Sequence, residues 1–112
     1  ETEIREVEFP IAPMGCIGTQ IAFPMALTYL LDELDLETIV KTMSINPRTI
    51  LQTDIPVVKE GFVANLTLFD THTEWKFDKS SNLSLSENTP ILDSTLKGKV
   101  HGTILGNYIH FS

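Results

Sequence analysis

Near Thr53 the apolar period of this chain changes from the three-and-four spacing of helices to the alternation of strands. This division constrains the fold more than any other feature. It predicts an α+β chain in which helices come first and strands last, with each group too small to close on itself. A few strands in a hairpin and a ribbon leave unpaired edges, and such edges seek partners. The helices likewise read as one side of a larger barrel or bundle. Both halves read as portions of something bigger.

Three helices are expected before the division. Between Thr19 and Leu34, apolar residues fall on almost every side (Ile21, Phe23, Met25, Leu27, Tyr29, Leu30, Leu31, Leu34), the pattern of a helix buried all round. Pro24 is tolerable only in a first turn, so this helix begins near Phe23. Asp35 caps the next helix, Glu37 favours its positive end, and Leu36, Ile39, Val40 and Met43 form its apolar stripe. The segment INPRTIL then predicts a short third helix, with Asn46 as cap and Pro47 in first position.

After the division, FVANLTLFD alternates as a strand and THTEWKFD follows as its neighbour, while residues 78–98 read as loop, rich in Ser, Asn, Asp and Pro. The final segment, GKVHGTILGNYIHF, predicts a hairpin turning at Gly106-Asn107. That turn opposes Leu105 with Tyr108, Ile104 with Ile109, Thr103 with His110 and Gly102 with Phe111. Val100, Ile104, Ile109 and Phe111 then share a core face, while His101, Thr103, Leu105, Tyr108 and His110 share the other.

Composition excludes several function classes. A net charge of −7 without Lys or Arg clusters argues against nucleic acid. No apolar run reaches the length of a membrane span, and the acidic start is unlike a signal peptide, so a soluble, cytoplasmic chain is expected. The single Cys16 excludes an internal disulfide and fits a reducing compartment.

The motifs that bear chemistry are few. In APMGCIGTQIAFP, residues 12–24, two glycines stand three apart before the long helix. Thr19 and Gln20 stand where a phosphate loop needs Lys and Ser or Thr, so phosphate binding is not expected. A structural turn and a backbone contact to a small substrate both stay open, since glycine lets a ligand approach the main chain. His72, His101 and His110 have no Cys or acidic partner at metal-site spacing, so no metal site is expected. Cys16 has no His or cation pattern that would make it a nucleophile. DELDLE reads as a solvated helix end, and LKGKV precedes a strand rather than a helix N-terminus. No catalytic set is expected in these residues.

In order along the chain, four segments resemble the carboxyl-terminal part of dihydroorotases within the amidohydrolase superfamily. EFPIAPMGCIGTQIAFPMALTYLL resembles the family's Ala-Pro-aromatic-Gly and Gly-x-Glu-Thr stretch with its last barrel helix. LETIVKTMSINPRTIL is similar to the closing helices with their Ser-x-Asn-Pro-x-x-Ile-Leu ending. VVKEGFVANLTLFD resembles Ile-x-x-Gly-x-x-Ala-Asp-Leu-x-Leu-Phe-Asp. Glu74-Trp75, SENTPI and LKGKVHGTILGN resemble the family's Trp, Asn-Thr-Pro-Phe and Gly-x-Val-x-x-Thr hairpin. Four residues depart from the pattern: Met14 for an aromatic, Gln20 for Glu, Ile21 for Thr and Asn65 for Asp.

The resemblance implies a metal-dependent (β/α)8 barrel beside a small β-sandwich built from both chain ends. A whole barrel needs about 250 residues, so this chain holds only part of it. Residues 1–53 correspond to the end of the barrel, with its substrate loop and closing helices, and residues 54–112 to the carboxyl-terminal part of the sandwich. The implied activity is zinc-dependent interconversion of N-carbamoyl-aspartate and dihydroorotate in pyrimidine biosynthesis. Zinc ligands and the proton-shuttling aspartate are placed upstream, so none of them is expected here and the chain alone is inert. Met14 and Gly15 are the expected substrate-binding positions, acting through backbone. Expected partners are the small-molecule substrate, the amino-terminal part of the same chain and further copies in a homo-oligomer. The alternative is a non-catalytic dihydroorotase-like partner or scaffold of aspartate transcarbamoylase.

Overall fold

The computed structural model describes residues 15–111. Met14, one of the two expected substrate positions, lies outside the described residues. The observed order is one helix, then an unbroken helical run, followed by a three-stranded antiparallel sheet whose strands lie in chain order.

Helix α1 spans Ala22–Leu30. Its first turn is drawn from Gly18, whose carbonyl accepts from the Ile21 and Ala22 amides at 3.1 and 2.8 Å. Pro24 falls in that first turn, where its missing N–H costs nothing. Pro24 and Leu27 are buried, while Tyr29, Leu30 and Leu34 are exposed. The apolar residues on every side therefore meet cover on one side only among the described residues, because the sheet packs against a single face.

Helix α2 spans Leu36–Val40 and is capped as expected, with Asp35 Oδ1 accepting from the Thr38 amide at 2.7 Å. The expected separate third helix is not separate. A π-helical turn, Lys41–Ile45, runs straight into α3, Asn46–Ile50, and Asn46 has helical angles instead of acting as a cap. The physical reason is Pro47. Inside a continuous helix it has no N–H for the Met43 carbonyl and its ring crowds that carbonyl. Widening the preceding turn relieves the conflict, and the Asn46 amide accordingly bonds back five residues to Lys41.

The sheet corrects two expectations. FVANLTLFD and THTEWKFD are not neighbours but one strand, β1, Asn65–Phe77. The reversal expected near residue 70 is only a kink: Asp70 Oδ1 accepts from the His72 and Thr73 amides, both at 2.6 Å, and the register shifts between Asp70 and Glu74. Strand β2 is Ser94–Leu105, so its first five residues, expected as loop, belong to the strand, and four of them, Ser94 to Lys97, are paired with β1 from Phe77↔Ser94 onward. The hairpin forms in the expected register, with β3 spanning Tyr108–Phe111 and Gly106 at φ +59.

The core lies at the opposite end of the sheet from that hairpin. Ile21, Phe77 and Leu96 are buried together, with Ile17, Met25, Trp75, Ile91 and Leu92 packed around them. Each such side chain contributes roughly 1.5–3 kcal/mol on burial. Ile109 and Phe111, expected on a core face, are 61% and 69% exposed. The register of β2 against β1 shifts between Val100 and Gly102, and the close approach of α1 lies at Gly98, before that shift.

Two contacts fix α1 on the sheet. A Cβ on Gly98 would lie 2.3 Å from Leu27 Cδ1, so only glycine allows this approach. Thr28 Oγ1 accepts from the Lys97 amide at 2.8 Å and lies 3.3 Å from the Lys97 carbonyl. The hydroxyl thereby occupies the stretch of the β2 edge that β3 does not reach.

Candidate functional site

The glycine stretch that precedes α1 is held by the long connection between β1 and β2. Residues 78–93 are stiffened from within. Asp78 Oδ1 accepts from Ser80 Oγ at 2.6 Å and from the Ser80 and Ser81 amides at 3.0 Å each. The Ser80 hydroxyl, followed by the Ser81 amide, holds the Asp78 carboxyl below its ordinary range. Asn82 Nδ2 donates to the Ser86 carbonyl at 2.8 Å, and Asn82 Oδ1 accepts from the Ser84 amide at 2.9 Å. Ion pairs Lys79–Glu87 and Lys76–Asp93, at 2.6 and 2.8 Å, join its limbs, although their exposure makes each worth little.

This strap grips residues 15–21 at two places, each through a carboxamide. Asn88 Nδ2 donates to the Gly15 carbonyl at 2.5 Å, while the Asn88 carbonyl accepts from the Ile17 amide at 3.0 Å. Gln20 Nε2 donates to the Ser81 carbonyl at 2.7 Å, and Gln20 Oε1 accepts from the Leu83 amide at 2.9 Å. Gln20 thus uses both ends of its amide. A carboxylate in the same place has no donor for Ser81. Between the grips lies a groove of about 470 Å³, bordered by Cys16, Gly18, Gln20, Phe77, Asn82 and Leu83.

Gly15, the expected substrate position that the structure describes, has φ +89, and a Cβ there would meet nothing within 4 Å. Its conformation, not crowding, requires glycine, and the main chain is open to approach. Cys16 beside it is exposed. His72 Nδ1 is 2.9 Å from Thr71 Oγ1, and His101 and His110 lie on the exposed surfaces of β2 and β3. Among the described residues, no group of three or more His, Cys, Asp or Glu side chains could hold a metal ion. These residues therefore do not fit a zinc centre, and no chemical step is assigned to zinc through them. No helix among them is long and apolar enough to cross a membrane.

Sequence reasoning missed the two grips. Gln20 stood out only as a departure from a motif and Asn88 only as a letter within SENTPI. Their bonds span 61 to 73 residues, and no local spacing reports such a pairing.

No family model matches the chain. Individual relatives do. The dihydroorotase of Aquifex aeolicus is 39% identical over 105 residues, which covers 93% of this chain and 24% of the relative. That of Sulfurihydrogenibium sp. is 40% identical over 97 residues, covering 86% of this chain and 23% of the relative. That of Elusimicrobium minutum is 35% identical over 104 residues, with 91% and 24% covered. The chain thus spans about a quarter of the length of the relatives it matches. Their names give no support to the alternative of a non-catalytic transcarbamoylase partner.

Proposed function

The chain belongs to the dihydroorotase family, corresponding to a carboxyl-terminal quarter of its members, and we propose that it serves the interconversion of dihydroorotate and N-carbamoyl-aspartate in a zinc-dependent parent. In this reading residues 1–53 supply the substrate loop and closing helices of a (β/α)8 barrel. Residues 54–112 supply strands of the accessory sandwich. The parent's other residues hold the zinc, which supplies a Lewis acid and an activated hydroxide when bound.

What this chain contributes is orientation. Met14 and Gly15 present main-chain hydrogen-bonding groups to the substrate, and the asparagine grip keeps the Gly15 carbonyl from competing for it. The observation that supports the reading is Gly15: a left-handed glycine, open to approach, with its carbonyl already bonded to Asn88. The wide apolar exposure at Val58, Val63, Ile50 and Leu51, each more than 70% exposed, supports cover by further parts of the parent.

The test compares the full-length protein with the 112-residue chain in both reaction directions, each supplied with zinc. Turnover by the full-length protein and none by the shorter chain is expected. In the full-length protein, Gly15→Ala is expected to raise KM for dihydroorotate at least about tenfold, because the new Cβ strains the loop. Full-length protein loaded with zinc that turns over neither substrate would overturn the reading.

A further inference from the structure

We propose that Asn88 and Gln20 are positioning residues for the substrate loop, so that the strap of residues 78–93 sets the affinity of a site to which it contributes no reacting group. The inference rests on the function proposed above. The argument starts from the left-handed glycine. Gly15 has no side chain with which to anchor itself, so something outside it must fix the rotation of the peptide plane between Gly15 and Cys16. Asn88 does this with a donor at 2.5 Å from the Gly15 carbonyl. In a trans peptide the N–H points opposite to the C=O, so holding that carbonyl also aims the Cys16 N–H away from the strap.

A single hydrogen bond leaves the loop free to pivot, and the remaining contacts remove the pivot. The Asn88 carbonyl takes the Ile17 amide at 3.0 Å, which brackets Cys16 between two bonds to one residue. One turn further on, Gln20 bonds the Ser81 carbonyl and the Leu83 amide. Four bonds therefore join the strap to one short stretch just before α1. Asn88 is itself held, since its amide donates to Ser86 Oγ at 3.1 Å and Ser86 is bonded by Asn82. Rigidity at the strap thus passes to the loop through the Asn88 carboxamide and main-chain carbonyl and through both ends of the Gln20 carboxamide. Holding the loop in its bound shape beforehand removes part of the ordering cost of binding.

An interaction of this kind acts alike on bound substrate and on the transition state. Its loss raises KM and spares kcat. In the full-length protein, Asn88→Asp keeps the shape of the side chain but replaces the donor with an acceptor facing the Gly15 carbonyl. It is expected to raise KM for dihydroorotate about three- to tenfold, with kcat within about twofold of the unsubstituted protein. Gln20→Met, of similar volume, is expected to shift KM in the same direction with an unchanged melting temperature. Asn88→Gln, which retains the carboxamide, is expected to restore part of the KM lost in Asn88→Asp. Unchanged KM in both Asn88→Asp and Gln20→Met would overturn the inference while leaving the proposed function intact. So would a fall in kcat and melting temperature with KM unmoved, the signature of a merely structural role. Absence of turnover in the unsubstituted protein would overturn the proposed function and this inference with it.

Discussion

At Gly98 the helical half of the chain approaches the strand half too closely for a side chain, and Gly98→Ala measures what that approach is worth. Two costs arise. The residue sits at φ +88, where an L side chain is strained by roughly 1–2 kcal/mol. The added Cβ also lands 2.3 Å from Leu27 Cδ1, 3.2 Å from its Cβ and 3.3 Å from its Cγ. Leu27 is 1% exposed and has little room to turn aside, so the clash costs a further 1–3 kcal/mol, roughly, as other overpacked cores do. The expected loss is about 2–5 kcal/mol. Urea unfolding of the 112-residue chain, followed by fluorescence of its one tryptophan, provides the assay. Trp75 Nε1 donates to the Gly98 carbonyl at 2.8 Å, so the probe reports on the perturbed site itself.

A second substitution separates the two costs. Leu27→Ala deletes the atoms at 2.3 and 3.3 Å and leaves only the Cβ. In that background Gly98→Ala should lose only the conformational part, about 1–2 kcal/mol. The double-mutant cycle should then show a coupling of about 1–3 kcal/mol. If Gly98→Ala costs the same with leucine or alanine at position 27, the close approach is not what requires glycine there, and the reasoning fails.

Two further outcomes are expected. Asp70 is held below its ordinary carboxyl range by the Thr73 amide first and the His72 amide second, so ionised Asp70 stabilises the kink in β1. Because the folded-state value is depressed, this stabilisation is complete above the unfolded carboxyl value of about 4 and is lost as pH falls through the lower folded value. Amide exchange at His72 and Thr73 followed by NMR should accelerate in that acid range, beyond the intrinsic pH trend, and equal protection after Asp70→Ala would contradict it. Trp75→Phe removes the indole donor from a part-buried carbonyl and should destabilise the chain by about 1–2 kcal/mol, read by circular dichroism during urea unfolding. Stability unchanged by that substitution would show that the bond contributes nothing net.

Local chemistry explains which parts of the fold were legible. Asp35 announces a helix start, because its capping partner is three residues away and any such sequence offers the same bond. Gly106-Asn107 fixes a register, because a two-residue turn leaves the flanking residues no other pairing. Where the deciding interaction was less local, the reading failed. Pro47 signals a helix start as readily as a helix interior, and only the widened turn before it shows which applies. Asp70 looks like a turn residue and does make a turn of amides around its carboxyl. The strand passes through that turn because β2 offers partners on both sides of it.

The candidate site was legible only where its chemistry lies in the main chain. A glycine pair before an apolar helix signals an unusual backbone whatever surrounds it, so Gly15 could be singled out without knowledge of its neighbours. Carboxamides carry no such signal. Asn and Gln are common in loops because they satisfy nearby backbone, as Asn82 does with Ser84 and Ser86. Nothing in the letters separates that local use from Asn88 and Gln20, whose partners lie 61 to 73 residues away. The difference resides in the antiparallel return of β2 along β1. That return places both ends of the strap, Phe77 and Ser94, side by side in the sheet, at the end where Phe77 and Leu96 pack with Ile21. Once that core forms, the connection between the strands has to arch across the start of α1, and two carboxamides, helped by the Asn88 main-chain carbonyl, suffice to fasten it there.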